Sequence, residues 1–280
     1  MSVSLPEFSP GNITNKTMAS NSDERAGQKG FGQILINLLL AWAILACLSC
    51  QPDNSAGCFR GKGKESTQTR HLDTFHSMVV SDKLDIVLHQ DSTQPYKCTL
   101  SGGSNLFPGI QTRVVDGVLH IEDTNTCDWV RDLQNRTRID LWISDLNRIE
   151  MHGMSKLLTP KRIYLSDVEL DFISSADQDW DLETNQLILN HSGVGEITLK
   201  GKAAVYVLTQ YFVAGADARH LQSDYVFVYS YSTADTWVQP VKGLGAFIYN
   251  SGNIYHVSTP WKQIAYEKKG LGERVYAPAG

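Results

Sequence analysis

The sequence predicts an all-β fold, built as a solenoid of short strands stacked along one axis. In the segment 187–200, LILNHSGVGEITLK, two alternating apolar runs flank a small-residue turn. Leu187 and Leu189 share one side of the first run, as Ile197 and Leu199 do in the second, which is typical of half-buried strands. The turn recurs along the chain, and no long stretch of the mature chain carries a helical apolar stripe.

The turns recur at a spacing of roughly 18–21 residues, within the range of solenoid repeats. A repeat this short cannot bury its own apolar face, whereas stacked copies form one continuous core. We expect Gly193 and Gly195 to take the positive φ that a tight corner often needs. The other copies, usually ending in an acid, are at 153–155, 174–177, 214–217, 232–235, 251–253 and 270–273.

Alternation also predicts which side chains point into the core. In a strand, every second residue lies on the same face. The predicted inward residues are Leu170, Phe172, Leu187, Leu189, Ile197, Leu199, Val226 and Val228.

Several strands are predicted ahead of the repeats. The apolar runs 78–80 and 84–88 predict two paired strands. Residues 114–121 predict a hairpin, because their central Asp-Gly suits a type I′ turn whose twist matches that of the strands. Residues 138–143, RIDLWI, predict a further strand. The repeats then follow from Leu146 to about Val275.

The segments before the folded domain have distinct compositions. Residues 1–30 are polar and predicted to be disordered. Residues 31–50 contain an apolar run of about thirteen residues, too short to span a bilayer, and are predicted to be a signal peptide, with a buried helix as the alternative. Residues 51–74 are rich in Gly, Ser and Lys and predict a flexible tether. The folded head is expected to occupy 75–280.

Two cysteines at the end of the apolar run resemble the lipidation sites of bacterial lipoproteins. Cys50 is preferred because the polar sequence QPDNS follows it, and Cys47 in ILAC is the alternative. A lipid on either cysteine anchors the chain to a membrane without spanning it. The other alternative is ordinary secretion, with both cysteines removed. We therefore expect a protein anchored in the bacterial cell envelope, in the outer membrane, with its orientation left open.

Three cysteines remain in the exported chain, where disulfides are permitted. Cys98 lies in an alternating strand, a setting where buried free thiols are common. Cys58 and Cys127 lie in polar, loop-like surroundings, and we predict a disulfide between them, although the spacing allows any of three pairings.

Composition and motifs argue against several classes of function. The net charge of −5 argues against nucleic acid as a partner. The acidic run 177–183 has the oxygen ligands that Ca²⁺ prefers, but Leu182 stands where an EF-hand needs glycine. An acidic outer face with Trp180 and Leu182 inward is the alternative explanation. His152 and His191 are expected to stack on adjacent coils. We predict no metal site, no cofactor and no catalytic residue.

Aromatic residues are the most suggestive feature. Tyr225, Phe227, Tyr229 and Tyr231 share one face of a single strand. If this face points outward, it suits recognition of a glycan or a protein. The alternatives are a ladder that only strengthens the sheet, or an inward stripe that packs the core.

The chain from Phe75 onward resembles the GIN-type "head domain" family of putative auto-transporter adhesins. The resemblance implies a right-handed, single-stranded β-helix on exported, often lipid-anchored proteins, with no catalytic residues to transfer. The residues that carry it are Phe75-x-x-Met78-x-Val80, Leu84-x-Ile86-x-Leu88-x-Gln90, Asn105-Leu106, Ile110-x-Thr112-x-Val114-x-Asp116-Gly117-x-Leu119-x-Ile121 and the repeated turns.

The sequence thus predicts a lipid-anchored, adhesin-like binding scaffold without catalysis. Its expected partners are the membrane, through the anchor, and a glycan or envelope protein, through one solenoid face. The alternatives are a carbohydrate-active β-helix enzyme and a passive structural protein of the envelope.

Overall fold

The computed structural model describes residues 61–125 and 136–278, and nearly all of them are in β-strands or the turns between them. The described residues contain no α-helix, only a 3₁₀ turn at Phe107–Gly109. The strands are β1 (Glu65–His71), β2 (Ser77–Val80), β3 (Leu84–Gln90), β4 (Lys97–Gly103), β5 (Ile110–Val115), β6 (Val118–Asp123), β7 (Thr137–Ile143), β8 (Arg148–Gly153), β9 (Lys156–Leu158), β10 (Ile163–Ser174), β11 (Gln178–His191), β12 (Glu196–Phe212), β13 (Gly215–Ser232), β14 (Thr236–Ile248), β15 (Ile254–His256), β16 (Lys262–Lys268) and β17 (Arg274–Tyr276).

The strands form a β-solenoid of about six turns, which confirms the predicted fold class. Each long strand from β10 to β14 pairs in parallel with the next along the chain. Gln178 pairs with Ile197, and Ile197 pairs with Ala216, so successive coils are 19 residues apart. The interval read from the recurring turns is therefore the length of one coil.

The long strands bend, so each contributes to more than one side of the solenoid. One side, here called the front sheet, runs from β5, β6, β2 and β8 through the second halves of β10 to β14 and ends at β16. Another, the back sheet, runs from β1, β4, β7, β3 and β9 through the first parts of β11 to β14 and ends at β15 and β17.

The core fills the space between these sheets. All eight residues predicted to point inward have no exposed surface, including Phe172, Leu189 and Val226. Trp180 and Tyr206 are the largest fully buried side chains. The alternating pattern therefore identified the core of the repeats correctly.

The N-terminal strands agree with the sequence in part. The hairpin is confirmed: β5 and β6 are antiparallel, and both Asp116 (φ 50°) and Gly117 (φ 76°) have the positive φ of a type I′ turn. The predicted pairing of 78–80 with 84–88 is wrong. Asp82, at φ 74°, turns the chain between them, so β2 joins the front sheet and β3 joins the back sheet.

The segment predicted as a tether contains a strand. β1 lies within 51–74 and pairs antiparallel with β4 over its whole length. Its side chains are exposed at almost every position, so it has no apolar alternation to read. The tether prediction was therefore wrong for Glu65–His71. The first 60 residues lie outside the described range.

The corners pack backbone against backbone. Gly193 and Gly195 do not have positive φ, so the expected reason for these glycines was wrong. A Cβ on Gly193 would lie 1.8 Å from the carbonyl oxygen of Ser174 in the preceding coil, and one on Gly195 would lie 2.3 Å from that of Ala176. The glycines are needed because the coils approach closely.

At three of the turns, the last residue bonds to the next coil. The Asp177 carboxylate accepts from the backbone N–H of Glu196 at 3.0 Å, and Asp235 accepts from that of Asn253 at 2.8 Å. The Asn253 side-chain oxygen accepts in turn from the N–H of Glu273 at 2.8 Å. An acid or amide at this position therefore satisfies a backbone donor at these three corners.

Several predicted features lie outside the described residues. They are the disordered extension, the signal peptide, the lipidation sites Cys47 and Cys50, and the disulfide partners Cys58 and Cys127. Cys98 is described and is a buried free thiol, as predicted, and burial raises its pKa to about 11. Among the described residues, none belongs to a helix long and apolar enough to cross a membrane.

Candidate binding face: the aromatic columns

The aromatic run of β13 points outward. Val226 and Val228 are fully buried, whereas Tyr225 and Tyr231 are each 40% exposed. Phe227 and Tyr229, between them, are half-buried. Of the three arrangements left open by the sequence, the inward stripe is therefore excluded.

Parallel pairing aligns outward residues of successive coils into columns on the front sheet. Tyr211, Tyr231 and Tyr249 form one column, with ring centroids 5.4 Å and 4.5 Å apart and planes within 9° of parallel. The ammonium of Lys269 lies 5.4 Å from the centroid of the Tyr249 ring and ends the column. The rings repeat at nearly the spacing of the strands that carry them.

A second column, nearer the middle of the sheet, is made by Tyr229 and Phe247. Their rings are 4.6 Å apart and 5° from parallel. Because stacked rings cover each other's faces, these columns present ring edges and tyrosine hydroxyls to solvent. The surface is flat and offers both apolar area and hydrogen-bonding groups.

Two glycines of β14 make room for the remaining rings. A Cβ on Gly243 would lie 2.9 Å from the Tyr225 ring, and one on Gly245 would lie 2.8 Å from the Phe227 ring. These rings therefore rest over the backbone of the next coil. The role of Gly243 and Gly245 beneath these rings was not predicted from the sequence.

Not every tyrosine of the repeats joins this face. Tyr206 points into the core, where burial raises the pKa of its hydroxyl. Tyr255 lies on the back sheet, stacked 4.4 Å from Trp237. The guanidinium of Arg219 covers the other side of Trp237 at 4.2 Å and is held by Asp217 at 2.8 Å. This column on the back sheet has no counterpart among the sequence predictions.

The N-terminal half of the front sheet is charged rather than aromatic. Arg148 is paired with Glu150 at 3.0 Å, with Glu169 at 2.9 Å and with Asp171. Asn190 also donates to Asp171, at 2.8 Å. The outer surface of the front sheet thus changes from charged to aromatic along the solenoid axis.

The acidic run 177–183 has its carboxylates outward and both Trp180 and Leu182 fully buried. Asp179 is paired with Lys200 at 2.9 Å, and Asp181 is paired with Arg162 at 2.6 Å. The described part of the chain contains no group of three residues placed to hold a metal ion. Asp179 and Asp181 therefore take part in ion pairs between coils.

His152 and His191 do not stack, contrary to expectation. His191 aligns with Phe172 and is 1% exposed, whereas His152 aligns with Ile173 on the outer face. Burial lowers the pKa of His191 to about 4. The two imidazoles therefore lie on opposite faces of the sheet.

A depression of about 780 Å³ lies on a side away from the aromatic columns. It is open and polar, and Glu183, Lys202 and Asp224 contribute to its lining. Asp177, Asp179 and Asp181 do not line it. The alternative function, a carbohydrate-active enzyme, would need its acids clustered at such a groove.

These observations define the class of the protein as a β-solenoid with continuous outer faces. The chain belongs to the family described as "Putative auto-transporter adhesin, head GIN domain", whose sequence model matches residues 74–260. This assignment agrees with the resemblance noted in the sequence and places the chain among adhesin-like domains.

Solved structures share the fold. A putative adhesin from Bacteroides fragilis has a TM-score of 0.71 and 19% identity, over 76% of this chain and 97% of that one. A putative adhesin from Parabacteroides merdae has a TM-score of 0.57 and 18% identity, over 77% and 98%. A putative lipid binding protein from Parabacteroides distasonis has a TM-score of 0.57 and 17% identity, over 77% of this chain and 98% of that one. A search of curated proteins found no match.

Proposed function

We propose that the protein is a binding domain of the bacterial cell envelope and that the aromatic columns of the front sheet contact its partner. The observation that carries the proposal is the outward direction of Tyr225, Phe227, Tyr229 and Tyr231 over a fully buried valine row. The partner is a glycan or an envelope protein. The family assignment supports an adhesin-like role of this kind.

The chemistry of the face fits an extended partner. Stacked rings are held by their neighbours, so little side-chain entropy is lost when a partner covers them. Tyrosine hydroxyls along the columns offer donors and acceptors to a polar polymer. A solenoid presents such groups at regular intervals, which matches a repeating ligand better than a small metabolite.

We also propose that the domain is held at the membrane by lipid on Cys50, or on Cys47, and that it has no catalytic activity. The apolar run and the small residues before these cysteines support the anchor. The ion pairs that occupy the acidic run support a role without catalysis. Mass spectrometry of the mature N-terminus tests the anchor, and membrane retention after both cysteines are changed to Ser would contradict it.

A glycan array and an envelope pull-down test the binding role. Wild-type protein should bind in at least one, and Tyr225→Ser/Phe227→Ser should bind at least about tenfold more weakly, a loss of about 1.4 kcal/mol. Tyr164→Ser is the matched control, since Tyr164 is 61% exposed on another side of the solenoid. Blank results in both assays, or equal weakening by the control, would favour a passive structural protein.

A further inference from the structure

The column of the front sheet that contains Tyr211 and Tyr231 has one position without a ring. This position lies where the outer surface of the sheet changes from charged to aromatic. Its outward members are His152, Ile173, Ser192, Tyr211 and Tyr231, in successive coils. Ser192 follows His191, which pairs with Phe172 on one side and Gln210 on the other. A small side chain therefore stands between the large side chains of Ile173 and Tyr211.

The gap has the dimensions of one flat ring. Strands lie about 4.8 Å apart, so the coils of Ile173 and Tyr211 are separated by about 10 Å. Rings in the same column stack at 4.5 and 5.4 Å. A ring placed over Ser192 would thus contact Tyr211 on one side and Ile173 on the other.

A depression of about 290 Å³ occupies this position, and Ile173, Ser192 and Tyr211 contribute to its lining. Tyr231 covers one face of the Tyr211 ring, and Phe212 is tilted 45° to that ring at 6.4 Å rather than stacked on it. The free face of Tyr211 therefore borders the depression. Its volume is at the lower end of the range for ligand sites.

The rim of the depression is polar and carries excess negative charge. It includes one guanidinium, from Arg148, and the carboxylates of Glu150 and Asp171. Glu169 adds a third carboxylate to the same network. Asn190, Ser192 and His152 bring further hydrogen-bonding groups. Such a rim suits hydroxyl groups and disfavours an anion.

We propose that this depression is a subsite for one neutral or amino-substituted pyranose ring, stacked on Tyr211 with its hydroxyls toward the charged rim. A pyranose has an apolar face of C–H groups and a hydroxyl edge, which match the tyrosine ring and the rim. The inference rests on the proposed function and narrows its ligand to a glycan. Residue Ser192 keeps the subsite open because it adds no ring of its own.

The test uses saturation-transfer NMR on the purified full chain with four probes: methyl β-D-glucopyranoside, methyl β-D-galactopyranoside, N-acetylglucosamine and glucuronic acid. At least one of the neutral sugars should receive saturation, and glucuronic acid should bind about tenfold more weakly, since the rim repels its carboxylate. Absence of binding by all neutral sugars, or preferred binding of glucuronic acid, would overturn the proposal.

Substitutions locate the site. S192Y supplies the missing ring and should abolish sugar binding while the thermal midpoint stays equal or rises, because the column is completed. S192A should bind as wild type does. Y211A should weaken binding about tenfold, and Y211F should retain it, because stacking requires the ring and not the hydroxyl. Equal binding by S192Y and wild type would overturn the proposal, as would equal binding by Y211A and Y211F.

The experiments distinguish failure of the pyranose subsite from failure of the proposed function. Tyr164→Ser should leave monosaccharide binding unchanged, since Tyr164 is exposed on another side of the solenoid and does not line the depression. If Tyr225→Ser/Phe227→Ser loses envelope binding while none of the sugars binds wild-type protein, the proposed function stands and the pyranose subsite does not. If the sugars bind wild-type protein and no envelope component does, the pyranose subsite stands and the proposed function does not.

Discussion

At the residue scale, the corner glycines show how closely the coils approach. We predict that Gly193→Ala lowers the free energy of unfolding by about 2–4 kcal/mol, because its Cβ would overlap the Ser174 carbonyl. Gly215→Ala is the matched control. Its Cβ would lie 3.5 Å from the nearest atom, an ordinary contact, and should change the free energy by less than about 0.5 kcal/mol. Urea unfolding measures both, and equal values for the two variants would contradict the close-packed corner.

The buried His191 should make the stability of the fold depend on pH. Its folded pKa is about 4, below the ordinary value of 6.5, so the unfolded chain binds more protons between those values. Stability should therefore fall as pH drops from about 6.5 to about 4, by at most about 3 kcal/mol from this residue. His191→Gln should flatten this part of the pH profile. A steeper profile in His191→Gln than in wild type would contradict the prediction.

At the element scale, the tyrosine column of the front sheet should add to stability as well as forming a surface. Tyr231 is stacked on both sides, and each aromatic pair is worth about 0.5–1.5 kcal/mol. We predict that Tyr231→Ala lowers the free energy of unfolding by about 1–3 kcal/mol in urea. Tyr164→Ala, with no ring stacked on it among the described residues, should cost less than about 0.5 kcal/mol. Equal costs would show that the stacking contributes nothing.

The sequence predicts single strands better than their alignment. Alternation identified the inward residues of β10 to β13 because one side of each strand is buried. The same alternation continues from Leu187 and Leu189 to His191, so the burial of His191 could have been predicted from the sequence. The aromatic columns could not be predicted, because the pairing of β12 with β13 shifts between Thr198 and Lys200. Such a shift changes which outward residues meet, and it is set by packing between coils.

Two other misses have similar physical causes. β1 has no buried side, so its sequence resembles a tether although antiparallel hydrogen bonds to β4 hold it. Gly243 and Gly245 are explained by side chains of neighbouring coils: Tyr225 and Phe227, 18 residues earlier in the chain, and, at Gly243, also Ile264 of the next coil. Contacts between coils are therefore the part of the site that one sequence leaves open.

At the scale of the whole molecule, stability should vary along the axis. Coils such as that of β12 have neighbours on both sides, whereas β16 and β17 each pair with one strand. The last coil also leaves Trp261 83% exposed and Leu271 85% exposed. In a solenoid, each coil is stabilised mainly by its neighbours.

We therefore predict that hydrogen exchange is slowest in β11 to β13 and fastest in β16 and β17 among the repeats. Local opening from an end requires the loss of one interface, whereas opening in the middle requires the loss of two. Exchange monitored by mass spectrometry resolves these segments. Uniform protection from β11 to β17 would show that the solenoid opens only as one unit.

The central claim is that the aromatic front sheet is the surface that contacts the envelope. Site-specific photo-crosslinking tests it most directly, with a benzophenone amino acid replacing Tyr231 in one variant and Tyr164 in another, both exposed on different sides of the solenoid. In cells carrying the full-length protein, the probe at Tyr231 should form a discrete crosslinked species and the probe at Tyr164 should not. Crosslinking at Tyr164 alone, or at neither position, would contradict the account.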